Sequence, residues 1–301
     1  MSKNLQFKEN KTLSPKLDII FQAIFGEVGS EKVTKRFLEA ILKEKINEID
    51  LSKNPLLRRE QKEAKLGILD VIAQINGSQN CNIEVQLINQ KSIKERILYY
   101  WSKIYARELK TGQDYEKLKK TISILIADFE IKGLEELKYY SKWKIIENEE
   151  RKIELTDKFE LYIIELPKVE KNSENEDELI DWLIFLQNPN AERVKEKMKE
   201  NEELREAVEK VNTMSEDEYM QRIADLREKA ILDENSLKNE GIREGMEKGI
   251  QEGLEKGTKK GREEGERLGK LKLAKKMKEE GIPIETIIKI TELTEEEILG
   301  N

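Results

Sequence analysis

Residues 68–87, ILDVIAQINGSQNCNIEVQL, read as two apolar strands joined by a polar turn. Asn-Gly between apolar runs is the strongest short-range hairpin signal that a sequence carries. Side chains alternate faces along a strand, so Leu69, Val71, Ala73 and Ile75 share a face with Ile83, Val85 and Leu87. That uniformly apolar face is the predicted core face. The other face carries Ile68, Asp70, Ile72 and Gln74 from the first strand and Asn82, Glu84 and Gln86 from the second. A turn centred on residues 77–79 sets Ile72 opposite Glu84 and Asp70 opposite Gln86, and a slip of two residues keeps all the polar groups on that face. Acidic residues are poor strand formers and are seldom buried without a partner. Either these acids face water or a cation lies between them.

The flanking segments extend the hairpin into a larger sheet. Residues 17–25 and 30–43 have helical apolar spacing, and residues 46–51 read as a strand. A helix is expected over 92–109. Residues 121–128, TISILIAD, are apolar nearly throughout, as in a strand covered on both faces. Two more strands are expected near 142–147 and 159–166. The order helix, strand, hairpin, helix, strand describes an α/β fold with a mixed sheet. An acidic segment at 168–178, KVEKNSENEDE, reads as a linker, and everything beyond it reads as helical. The expected organisation is an α/β domain over 1–170, a charged helical region over 171–232, a glycine-rich helix over 233–270 and a small helical cap over 271–301.

Glycine recurs at every fourth position from 241 to 269. On an α-helix each such step turns about 400°, so the stripe drifts about 40° per step. Eight helical glycines cost roughly 4–8 kcal/mol relative to alanine, unless another helix packs on them. Ile242, Met246, Ile250 and Leu254 flank the stripe. The segment is too charged for a membrane dimer. It reads as a soluble helix that pairs with a second copy or with the preceding helices, or else as a solvated connector. In the cap, Gly281, Pro283 and the pair Thr294/Glu297 mark helix ends and a capping box. Its layout resembles a helix-turn-helix, but Glu295, Glu296 and Glu297 would repel phosphates, so packing or oligomerisation is the expected role.

Composition removes whole chemistries. The chain has no histidine, which excludes histidine triads, histidine general bases and His/Cys zinc sites. Neither a Walker A pattern nor Gly-x-Gly-x-x-Gly occurs. The lone Cys81 fits a reducing cytoplasm and reads as a small strand residue. No apolar run is long enough for a membrane span, and the first residues lack the apolar core of a signal peptide. Residues 1–130 hold 23 Lys+Arg against 18 Asp+Glu, and the remainder 32 against 44. A mildly basic front half suits a polyanion, although surface charge also drifts without purpose.

The carboxylates of Asp70 and Glu84 and the amide oxygen of Gln86 are hard oxygen donors. Together they suit Mg²⁺ or Mn²⁺, which share phosphate oxygens as ligands and turn bound water into a nucleophile. A half-solvated sheet face with scattered acids is the other reading. On the helix over 92–110, Arg96, Tyr99, Lys103, Arg107 and Lys110 lie within an arc of about 80°, beside a core face of Ile93, Ile97, Tyr100 and Ile104. Such a row suits a phosphate backbone or is an ordinary solvated flank.

Asp70, a hairpin, then Glu84-Val85-Gln86 resembles the PD-(D/E)XK nuclease signature in its D…ExQ form. Residues 14–26, SPKLDIIFQAIFG, residues 96–105, RILYYWSKIY, and Gly112-Gln113-Asp114-Tyr115 resemble motifs of the recombination-promoting nuclease (Rpn) or PD-(D/E)XK nuclease family transposase group. The glycine-every-fourth tail recurs there too. The resemblance is good over about 12–130 and looser elsewhere. It implies a Mg²⁺-dependent (or Mn²⁺-dependent) DNA endonuclease linked to recombination or mobile elements, with a restriction-endonuclease-like sheet and an all-helical C-terminal extension. By position, Asp70 and Glu84 would bind the metal, and Gln86 stands where many relatives have lysine. Arg96, Tyr99, Lys103 and Arg107 would contact DNA. Asp18 is either a further acid at the metal or a surface residue. The expected oligomer is formed by the C-terminal helices. The rival expectation is a non-catalytic binding or assembly protein that keeps the nuclease fold.

Overall fold

In a computed structural model of the chain, the described residues are 12–51, 71–109, 112–172 and 176–299. They form two compact units, divided between Leu232 and Asp233. The first contains helices α1 (Asp18–Phe25) and α2 (Glu31–Leu42) and strands β1 (Ile49–Asp50), β2 (Val71–Ile75) and β3 (Gln79–Gln86). Helix α3 (Ile93–Arg107) and strands β4 (Lys120–Ala127), β5 (Tyr140–Trp143) and β6 (Phe159–Glu165) follow. Helices α4 (Glu178–Gln187), α5 (Glu192–Lys197), α6 (Glu202–Glu216) and the start of α7 (Glu218–Glu279) complete it.

The six strands make one mixed sheet in the order β1-β2-β3-β4-β6-β5. β3, β4 and β6 run parallel; β1–β2, β2–β3 and β5–β6 are antiparallel. Helices cover both faces, which is why β4 and β6 are buried along nearly all their length. Val71, Ala73, Ile75, Cys81, Ile83 and Val85 belong to the main core with α1, α2, α4 and α6. The alternation therefore placed the core face of the hairpin correctly over the described residues.

The register differs from expectation by two residues. Ile72 pairs with Asn82 rather than Glu84, and Ile75 pairs with Gln79. The cause lies in the turn. Asn76 and Gly77 both take positive φ, at 50° and 64°, so the second strand resumes two residues earlier than a five-residue loop would allow. The Asn76 side chain also accepts the Asn47 backbone N–H at 2.9 Å, which ties the turn to the segment before β1.

The opposite sheet face is not open to water. Ile93 and Ile97 of α3 pack with Leu125, Ala127, Phe159, Leu161 and Ile163 in a second core. Trp101 pins the middle of α3, its Nε1 donating to Thr121 O at 2.9 Å and its ring meeting Phe159 edge-on at 4.7 Å. The acidic segment after β6 does not end this unit. Lys168 is buried and binds Glu165 at 2.7 Å, and Trp182 of α4 packs on Phe25 and Phe37.

The second unit holds the rest of α7, then α8 (Ile284–Thr291) and α9 (Glu295–Leu299). Ala274, Ile287, Leu293 and Ile298 form its small core. The expected capping box is present: Thr294 N donates to Glu297 Oε2 at 2.9 Å and Glu297 N donates to Thr294 Oγ1 at 3.3 Å. A Cβ placed on any glycine from 241 to 269 meets nothing within 4 Å. Within the second unit, then, nothing covers the stripe among the described residues.

Candidate active site

β3 is hydrogen-bonded on both sides, and its outward-facing residues toward α3 are Asn82, Glu84 and Gln86. Asn82 is satisfied within the sheet, accepting from Ser123 Oγ at 2.5 Å. Glu84 is only 4 % exposed. Burial pushes its carboxyl above the ordinary range, and the Arg96 guanidinium offsets only part of that rise. Arg96 Nε and Nη2 both donate to Glu84 Oε1, at 3.2 and 2.8 Å. The same guanidinium lies over the Tyr100 ring, with Cζ 4.9 Å from the centroid. Arg96 is thus fixed between a carboxylate and an aromatic face, a pairing that suits its planar, weakly hydrated head group. Ile72 packs on Tyr100 and Ile104 beside it.

Of the other nominated residues, Gln86 is half-buried at the end of β3. Asp70 lies outside the described residues, as does Lys110. Tyr99 is half-exposed, and Lys103 Nζ sits 4.9 Å over its ring. Arg107 is exposed on the last turn of α3. Asp18, in the first turn of α1, pairs with Arg227 of α7 at 3.3 Å. Its carboxylate is engaged in that ion pair. Cys81 is buried, and burial pushes its thiol well above the usual value, as a structural strand residue requires.

Two residues at this strand end were not nominated. Asp128 follows β4, and its backbone N–H donates to Gln86 O at 2.9 Å. Lys16, just before α1, donates to Asp128 Oδ2 at 2.6 Å. The only trace of them in the sequence is that Lys16 lies inside the SPKLD stretch and Asp128 closes the apolar run of β4.

The donors fit a hard divalent cation by type: a buried carboxylate with an amide two residues on, both on one strand face. Among the described residues no group of three or more acidic or cysteine side chains gathers anywhere, this strand end included. A helix-flanked mixed sheet with acid-x-amide at the end of a central strand is nuclease-like. The comparison with protein families agrees: the family described as PD-(D/E)XK nuclease family transposase matches residues 15–241, and the chain belongs to that family. Searches of curated proteins and of solved structures gave no match.

Proposed function

We propose that the protein is a divalent-metal-dependent endonuclease that hydrolyses DNA phosphodiesters in the cytoplasm, in the service of recombination or mobile elements. The observation that carries this reading is the buried Glu84 carboxylate on the central strand, held by Arg96 and followed by Gln86. Glu84 and Asp70 hold Mg²⁺ or Mn²⁺. Bound there, such an ion polarises a phosphoryl oxygen and acidifies water. Gln86 orients the attacking water or the phosphate through its amide; it carries no charge and relays no proton. Arg96 acts on Glu84 rather than on phosphate: it offsets part of the cost of burying that carboxylate and aims it. Tyr99, Lys103 and Arg107, outward on α3, contact the DNA backbone. A second copy covers the glycine stripe of α7.

Plasmid nicking in Mg²⁺, Mn²⁺ or EDTA tests this. Wild-type protein is expected to nick in either metal and not in EDTA. Glu84→Gln and Asp70→Ala lose at least about 100-fold in rate with unchanged far-UV circular dichroism. Full activity in either variant defeats the assignment. The neutral Gln86, standing where many relatives have lysine, favours a second reading, a DNA-binding protein that no longer cuts. DNA binding with neither cleavage nor calorimetric metal binding is the result that selects it.

A further inference from the structure

The proposed chemistry places negative charge on a phosphate at the end of β3, yet apart from the metal the two side-chain positions expected to supply positive charge there do not supply it. Arg96 is committed to Glu84, and Gln86 is neutral. The structure brings one more cation to this strand end. Lys16 Nζ lies 2.6 Å from Asp128 Oδ2, and the Asp128 N–H is bonded to the Gln86 carbonyl. Asp128 is the sole hydrogen-bond partner of this ammonium among the described residues, and an ammonium has three donors. The side chain keeps 20 % of its exposure, so it is neither sealed in nor swinging in solvent. Its backbone is fixed by the turn in which Leu17 N donates to Ser14 O at 3.1 Å and by the buried Pro15 and Leu17 on either side.

We propose that Lys16 is a substrate-phosphate contact of the site: Asp128 holds it, and its remaining donors take a phosphate oxygen of the bound DNA strand where that strand passes the C-terminal ends of β3 and β4. The inference rests on the nuclease reading above. Its physical alternative is a tether that only fastens α1 to the end of β4. The two differ in what each partner's removal does. A tether is lost equally when Lys16 or Asp128 is changed. A phosphate contact is lost with Lys16 alone, because Asp128→Asn leaves the ammonium charged.

The test is the affinity of the full chain for a short duplex DNA, by fluorescence anisotropy in EDTA over a range of KCl. Each phosphate neutralised contributes about 0.9 to the slope of log K against log salt. Lys16→Gln is expected to lower that slope by about one, while Lys16→Arg and Asp128→Asn keep it. In the wild-type protein, DNA should shield Lys16 from acetic anhydride, read by mass spectrometry. This arm needs no variant to fold. Wild-type binding with an unchanged slope in Lys16→Gln, or acetylation of Lys16 unaffected by DNA, overturns the inference and leaves the nuclease reading standing. A wild-type chain that neither binds nor cuts DNA overturns both.

Discussion

Three lysine ammonium groups converge on one carboxylate oxygen of Glu160: Lys120 at 2.9 Å, Lys142 at 3.2 Å and Lys144 at 3.6 Å. The other oxygen accepts from the Tyr162 hydroxyl at 2.8 Å. Like Glu84 and Glu165, this is an acid sunk into the sheet beside a cation, so a buried charge does not by itself mark a catalytic centre. What separates Glu84 is its position on the central strand two residues before Gln86. At Glu160, burial opposes ionisation, but the hydrogen bonds from Lys120 and Tyr162 and the lysine charge outweigh it, and the carboxyl is held below its ordinary value of 4.5. The folded pKa is lower than the unfolded one. The stabilisation is therefore complete above pH 4.5 and is lost as pH falls through the folded value beneath it. Glu160→Gln is expected to cost about 2 kcal/mol at pH 7. It should also flatten the loss of stability as pH falls below 4.5, as measured by urea unfolding. A variant as acid-sensitive as wild type would mean that the lysines do not hold this carboxylate.

At the scale of elements, strand and helix identities were legible because periodicity reports burial. Alternation in 71–75 and 79–86 separated the two faces, and the unbroken apolar run of β4 signalled cover on both sides. Pairing register was not legible. It depended on positive φ at both Asn76 and Gly77, and composition shows only that a turn is there. The Glu84–Arg96 pair, 12 residues apart, and the Lys16–Asp128 pair, 112 apart, were not legible either. Charge patterning along one helix cannot reveal which of its cations turns inward. The glycine stripe of α7 was legible in spacing, while its partner was not. Ile242, Met246, Ile250 and Leu254 beside it are all more than half exposed. This sets two effects of Gly→Ala against each other. In open space, alanine at 249, 253 and 257 gains about 1 kcal/mol of helix stability per site. If a second copy packs there, the added methyls push it away. The triple alanine variant is expected to melt higher in its helical tail and to scatter light as a monomer. Wild-type protein is expected to scatter as an oligomer and the 1–232 truncation as a monomer. Equal masses per protomer in all three would rule out assembly through this helix.

Taken as a whole, the molecule determines which piece of the chain can carry the proposed activity. The motifs of the site end by Tyr115, which invites a truncation at the acidic segment near residue 170. The core argues against that cut. Leu179, Ile180, Trp182, Leu183, Phe185 and Leu186 of α4 are buried in the same core as α1 and α2, with Trp182 at 5.5 Å from Phe37 and 6.0 Å from Phe25 between ring centroids. Leu204, Ala207, Val208 and Val211 of α6 join them. Burying a large apolar side chain contributes about 1.5–3 kcal/mol, so six of them are worth as much as the roughly 5–15 kcal/mol by which a typical domain is stable. Removing α4 and α6 would also leave Phe21, Phe25 and Phe37 facing water on the helices that follow Lys16. A fragment ending at 170 is therefore expected to show no cooperative urea transition and no nicking. One ending at 232 should unfold cooperatively and keep the wild-type nicking rate per active site. The family match, which runs on to residue 241, spans the same helices. A folded, active 1–170 fragment would show that α4 and α6 are accessories to the sheet rather than part of the body that positions Glu84 and Lys16.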